Sequence, residues 1–213
     1  MNKLLTIVIP SYNTSAFIEE CMPTFLDDRF IDDIEIIIVD DGSTDDTARK
    51  AQKYVDKFPN SISMISKENG GHGSGINVGI KQATGKYFKV VDGDDYINTD
   101  EMASFVIQLK ENDADLFINY FTTASDITGK LNVISPYDFR LIEKKEEVVL
   151  NKVMPVDDVL EHIYGSIHAV TFRTEILKAH NIHMTEKTFY EDNEFVLFPI
   201  AFVKTVFVSD CKV

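Results

Sequence analysis

The sequence predicts an α/β fold, a Rossmann-like α/β/α sandwich built on a mostly parallel central sheet. Short apolar, β-prone runs alternate with helical patterns over the first 120 residues. Strands separated by helices need crossover connections, which are right-handed and set the strands parallel. Two of the runs, 35–39 and 87–91, lead directly into clustered carboxylates, Asp40-Asp41 and Asp92-Gly93-Asp94-Asp95. The carboxyl ends of strands are where an open α/β sheet has its ligand crevice. At 213 residues the chain is one large domain, or a domain with a small annex, long enough to bury a full core.

Each element follows from its residues. The run 4–9 is a first strand that stops at Pro10, and Ser11-Tyr12-Asn13 makes a turn. A helical pattern over about 15–27 is kinked or shortened at Pro23, which has no N–H to donate. A second strand at 34–39 leads to a helix over 44–58, with Ala48, Ala51, Tyr54, Val55 and Phe58 at helical spacing and Ser43 or Thr44 as its cap. Strand three is 62–66, followed by the loop Asn69-Gly70-Gly71-His72-Gly73-Ser74-Gly75 and a helix at 76–83. Strand four is 87–91, a helix covers 102–111, and strand five is 115–120. This half, residues 1–120, is a nucleotide-binding type of α/β fold.

Residues 121–155 have weak periodicity and a charged run at 143–147, read as a solvated face or loop. A helix at 156–163, a strand at 167–172 and a helix at 174–180 follow. A last helix opens around Phe189-Tyr190-Glu191-Asp192 and runs to about Phe202, with acids suited to its first turn. Phe195, Phe198 and Phe202 are spaced as core packing. His168 alternates with Val170 and Phe172 and reads as a packed, hydrogen-bonded strand residue. No closing helix is evident after Val206-Phe207-Val208, so the chain is expected to be part of a longer protein.

Composition excludes several classes of function. With 21 basic and 35 acidic residues the net charge is −14, which repels phosphate backbones and anionic lipid, so no nucleic-acid partner is expected. Cys21 and Cys211 belong to no metal or redox spacing and are expected to be buried free thiols. No apolar run approaches the roughly 18 residues of a membrane span, so no transmembrane segment is expected. The expected location is cytoplasmic, with any membrane attachment carried by a region outside this chain.

The carboxylates carry the chemistry. Gly-Asp-Asp is also ordinary turn and helix-cap material, but two strands that both end in paired acids exceed what capping needs. Acids gathered at one crevice repel unless a cation neutralises them. Hard divalent ions such as Mn²⁺ or Mg²⁺ take oxygen ligands of this kind. The expected task is to hold a metal that holds something anionic. A phosphoacceptor receiver domain would also place acids at strand ends, but it is much shorter and leaves Glu191-Asp192 without a role.

Six short motifs then stand in one order: Pro10-Ser11-Tyr12-Asn13, Val39-Asp40-Asp41-Gly42-Ser43, Asn69-Gly70-Gly71, Ala83-Thr84-Gly85-Lys86-Tyr87, Asp92-Gly93-Asp94-Asp95 and Glu191-Asp192. In order and spacing they resemble the family 2 glycosyltransferases of the GT-A fold, over nearly the whole chain. The resemblance implies an inverting, metal-dependent hexosyltransferase of polysaccharide biosynthesis, with a nucleotide-diphosphate sugar, chiefly a UDP-sugar, as donor. The acceptor would be a saccharide or a lipid-linked one. It implies a donor half at 1–120 and an acceptor half at 121–213 of the same domain. Pro10, Ser11, Tyr12, Asn13 and Asp41 are implied to hold the base, with Asp40 as the neighbouring alternative, and Asn69 belongs to the donor loop. Asp92 is implied at the ribose and Asp94 at Mn²⁺ or Mg²⁺. Asp95 supports Asp94 or meets the sugar, next to Gly93, and Asp192 is implied as the catalytic base. A non-catalytic nucleotide- or carbohydrate-binding module of the same fold is the alternative. Two departures stand out. The family's Ala-Arg-Asn after the glycine loop is Gly75-Ile76-Asn77 here, leaving His72 or Lys67 as replacement cations. No histidine follows His183 as a further metal ligand.

Overall fold

The computed structural model describes residues 3–124, 131–134, 149–160 and 165–213. Its first half follows the expected alternation: β1 (Leu5–Ser11), α1 (Ile18–Cys21), β2 (Ile34–Asp40), α2 (Thr47–Lys57), β3 (Ile62–Ser66), α3 (His72–Gln82), β4 (Tyr87–Val90) and α4 (Thr99–Glu111). The second half adds β5 (Leu116–Ala124), β6 (Leu131–Ile134), β7 (Val153–Pro155), β8 (Val170–Arg173), α5 (Thr174–Ala179), α6 (Glu191–Ile200) and β9 (Thr205–Lys212).

The main sheet has the order β3-β2-β1-β4-β8-β5-β9-β7, with β6 paired to β5. The pairs β3–β2, β2–β1, β1–β4 and β5–β9 are parallel. Strands buried on both faces read as unbroken apolar runs, and all seven residues of β1 are buried. Alternate side chains serve opposite cores. Val8 packs with Ile76, Ile80, Leu177 and Phe195 on the α3, α5 and α6 face. Ile7 and Ile9 pack with Ile18, Phe25, Ala51 and Phe105 on the α1, α2 and α4 face. The result is an α/β/α sandwich with a mostly parallel centre.

Several elements differ from expectation, each for a local reason. The helix over 15–27 is a single turn, α1, continuing as a 3-10 segment at Met22–Phe25 where Pro23 removes a donor. Ser43 and Thr44 cap nothing. Ser43 Oγ accepts from the Asn13 N–H at 3.0 Å and the Thr44 N–H donates to Asn13 Oδ1 at 2.8 Å. Asp46 stands at the N-cap of α2 without a side-chain cap bond, and the preceding Asp45 accepts from the Thr47 N–H at 2.9 Å. The helix expected from Ile76 begins at His72, directly after Gly71 with φ 86°.

In the second half, β8 inserts antiparallel between β4 and β5. Arg173 fastens it there, with Nε on Asp115 at 3.0 Å and Nη2 on Asp113 at 2.7 Å. Only a 3-10 turn at Val156–Asp158 is found where a helix at 156–163 was expected; residues 161–164, with His162, lie outside the described residues. So does the charged run 143–147. Among the described residues no helix is long and apolar enough to cross a membrane. Cys21 and Cys211 are buried free thiols.

Candidate active site

The topology places the carboxyl ends of β2, β1 and β4 side by side. Ser11 registers with Asp40, and the Val91 N–H donates to the Val8 carbonyl at 3.0 Å just beyond β4. Pro10-Ser11 and Asp92-Gly93 therefore meet at one edge, so closely that a Cβ on Gly93 would lie 2.7 Å from Ser11 Oγ and 3.0 Å from the Pro10 carbonyl. Tyr12 and Asn13 continue outward, Tyr12 half exposed. The Thr14 hydroxyl beside them is buried with no partner among the described residues.

Asp40 and Asp41 are both buried. Asp40 Oδ1 accepts from the Ser43 N–H at 3.1 Å. Asp41 grips the glycine loop: its carboxylate accepts from Lys67 Nζ at 2.6 Å, the Gly70 N–H at 2.9 Å and the Gly71 N–H at 2.8 Å. Exposed Asn69 precedes that grip, and His72 follows it.

His72 spans two carboxylates. Its Nε2 lies 2.9 Å from Asp92 Oδ1 and its Nδ1 3.1 Å from Glu191 Oε1. With a carboxylate oxygen at each nitrogen, the ring can donate both ways when it is protonated to the imidazolium. Burial works against that charge, but the hydrogen bond to Asp92 and the charges of Asp92 and Glu191 overcome it and raise the His72 pKa. Burial likewise opposes charge on Asp92, yet the His72 hydrogen bond and the neighbouring His72 and His168 hold its carboxyl below the usual range.

Asp94, Asp95 and His168 line a cleft of about 550 Å³. His168 stands in the turn before β8, not on the strand, with Nδ1 3.4 Å from Asp95 Oδ2 and its ring tilted against Phe121 at 5.3 Å. Beneath it, buried Lys89 donates to the His168 carbonyl at 2.7 Å and to Asn119 Oδ1 at 3.1 Å. Burial raises the Asp95 pKa; His168 opposes this, and the charges of Asp92 and Asp94 add to it. One donor atom from each of Asp92, Asp95 and His168 lies within 4.8 Å of the others. Two carboxylates and an imidazole form an oxygen-rich set with one nitrogen, which fits Mn²⁺ well and Mg²⁺ through its oxygens. Exposed Asp94 stands outside that trio but on the same cleft.

Asp192 is the second residue of α6 and half buried, its Oδ1 3.3 Å from Asn193 Nδ2. The helix starts abruptly after Tyr190, which holds a left-handed φ of 70°, and Phe189 and Tyr190 stand almost fully exposed before it. Of the aromatic group expected in the core, only Phe195 is buried. Phe198 is about half exposed, and Phe202 stacks on His180 at 3.6 Å on the surface.

The structure thus gathers the ends of β1, β2 and β4 with the starts of α3 and α6, and it recruits His72 and His168 as central groups. His168 was obscured by its alternation with Val170 and Phe172. His72 carried a signal, a titratable group on the glycine loop where the family's cation is missing, but not its two partners. Ile76, at the place of the family's arginine, is wholly buried, so no cation projects from there.

The family model described as "Glycosyl transferase family 2" matches residues 6–159. Glycosyltransferase GlyG of Streptococcus pneumoniae is 30% identical over 154 residues, covering 71% of this chain and 50% of that protein. Poly(ribitol-phosphate) beta-N-acetylglucosaminyltransferase TarS of Staphylococcus aureus is 32% identical over 114 residues, covering 53% of this chain and 20% of that protein. The crystal structure of S. aureus TarS 1–349 in complex with UDP-GlcNAc matches with a TM-score of 0.75 and 26% identity, covering 96% of this chain and 55% of that one. The mannosyltransferase PcManGT from Pyrobaculum calidifontis, in complex with GDP-Man and Mn²⁺, shares the fold at TM-score 0.68 and 18% identity. The chain spans half or less of the length of the two sequence relatives.

Proposed function

The chain belongs to glycosyl transferase family 2, and from that premise we propose that it transfers a sugar, with inversion, from a nucleotide-diphosphate donor to a saccharide or lipid-linked acceptor. The observation that carries this reading is the convergence of Asp92, Asp95 and His168 at the same sheet edge as Pro10-Ser11 and Asp40. Donor and cation would meet there, with the start of α6 facing them through His72. A UDP-sugar is the favoured donor, in keeping with the UDP-GlcNAc bound by the TarS structure.

In this reading residues 1–120 hold the donor and 121–213 meet the acceptor. Pro10, Ser11, Tyr12 and Asn13, with Asp40 or Asp41, take the base, and the unpartnered Thr14 hydroxyl is a ready donor or acceptor beside it. Asn69 and Gly93 belong to the donor site, Asp92 meets the ribose, and Asp95 supports Asp94 or meets the sugar. Asp94, with the trio beside it, is the place for Mn²⁺ or Mg²⁺. A cation bound there would supply positive charge beside the donor diphosphate. Asp192 accepts the proton of the acceptor hydroxyl as that oxygen bonds to the anomeric carbon, and the bond to the nucleoside diphosphate breaks on the opposite face.

Asp192→Asn tests the assignment because a base acts only as the proton leaves. Donor affinity should stay within about twofold while turnover falls roughly 10²–10⁴-fold. If Asp192 merely favours the start of α6, worth about 0.3–1 kcal/mol, the variant turns over at the wild-type rate and melts slightly earlier. The buried Ile76 in place of an arginine favours a second reading, a nucleotide- or carbohydrate-binding module without turnover. Wild-type protein that binds UDP but consumes no nucleotide sugar with any acceptor would establish it.

A further inference from the structure

Three elements meet at His72: its own helix start, the end of β4 through Asp92, and the start of α6 through Glu191. The seam between α3 and the segment leading to α6 is tight. The Lys187 N–H donates to the Gly70 carbonyl at 2.9 Å, and Asn77 both accepts from the Met184 N–H at 2.8 Å and donates to the Met184 carbonyl at 2.9 Å. A Cβ on Gly73 would lie 2.8 Å from the Thr185 carbonyl and 3.0 Å from Glu191 Cγ, so only glycine admits this approach.

Beyond Lys187 the hold changes. The first turn of α6 has no side-chain cap. Glu194 ties it back to Thr185, with contacts of 2.6 and 2.8 Å, but on its site-facing side the tie is Glu191 to His72. The Glu191 side chain is only 9% exposed and has no other hydrogen bond among the described residues, so losing the ring would leave a nearly buried carboxylate unpaired, a costly arrangement.

We propose that His72 is a positioning residue that couples Asp92 to the start of α6, so that what engages Asp92 sets the placement of Asp192. The imidazole is a rigid plane with one nitrogen aimed each way. Any ligand that draws Asp92 Oδ1 aside shifts or frees the ring, and the change reaches Glu191 and its neighbour Asp192. The coupling stands on three side chains; its use in donor-dependent placement of the base rests on the glycosyltransferase reading.

Amide hydrogen exchange on the full chain reads the coupling without any substrate. Asp92→Asn should speed exchange over residues 191–195 by about fivefold, His72→Ala by about as much or more, and the double variant no further than His72→Ala alone. Multiplying effects, or an unmoved α6 in Asp92→Asn, would overturn the proposal. Glu191→Gln replaces His72→Ala in the cycle if that variant fails to fold. With UDP-GlcNAc and Mn²⁺, His72→Ala should lower the kcat of donor hydrolysis about tenfold with KM within about threefold. An unchanged kcat would overturn the placement of Asp192. Wild-type protein that hydrolyses no UDP-sugar would count against the donor reading, while the exchange cycle still decides the coupling.

Discussion

His168 and Asp94 face one cleft from different elements, and they divide the metal question at the level of single side chains. Asp94 is the ligand that the family resemblance implies, whereas His168 converges with Asp92 and Asp95. Calorimetry of UDP binding in Mn²⁺ separates them. Asp94→Asn should abolish the metal-dependent part, and His168→Ala should weaken it by about 10–100-fold, the usual size of a lost ligand or its support. Undiminished affinity in Asp94→Asn would place the ion on Asp92, Asp95 and His168 alone. Lys89, under His168, gives a prediction in pH. Burial lowers its pKa to about 7, well under the ordinary lysine value. Between pH 7 and 9 the unfolded chain thus binds a proton that the folded chain has shed, and this group makes stability rise with pH. Lys89→Met should flatten that rise in denaturant titrations; an unchanged slope would mean that Lys89 stays charged when folded. Neither histidine role was legible in the sequence. A period of two cannot show that the chain leaves the strand at His168, and the partners of His72 lie 20 and 119 residues away.

Elements were legible where one pattern dominates and illegible where a distant partner decides. β1, β2 and β4 are apolar runs with abrupt ends, at Pro10 in β1 and at clustered acids in β2 and β4, and they stand within two residues of their expected bounds. The insertion of β8 was not readable, because its place depends on Arg173 meeting Asp113 and Asp115 some 60 residues earlier. β9 was overlooked as an element although Val206 and Val208 are wholly buried, since a short apolar run at a chain end carries no period to count. The packing of α3 on β1 gives this scale its test. A Cβ on Gly79 would lie 2.4 to 2.9 Å from the Val8 side chain. Gly79→Ala gains up to about 1 kcal/mol of helix propensity but overpacks a filled core, which costs about 1–3 kcal/mol. Denaturant unfolding should show net destabilisation; a more stable variant would mean that β1 and α3 part easily.

Across the whole molecule, the sheet brings together residues that the sequence scatters from Pro10 to Asp192, and the fold class was readable because crossover alternation leaves few topologies. What the order of strands adds is function: β1 between β2 and β4 sets Asp40 and Asp92 on either side of Pro10-Ser11. A chain of net charge −14 that is to hold an anionic donor needs local positive charge at this edge. Lys67 and His72 supply some of it, each already committed to carboxylates, so a divalent cation has a clear place. Calorimetric titration of the wild-type chain with UDP and with GDP, in Mn²⁺ and again in EDTA, tests this most directly. UDP should bind in Mn²⁺, at least about tenfold more weakly in EDTA, and more tightly than GDP, tenfold being 1.4 kcal/mol. No UDP binding in either condition, or GDP bound as tightly as UDP, would contradict it.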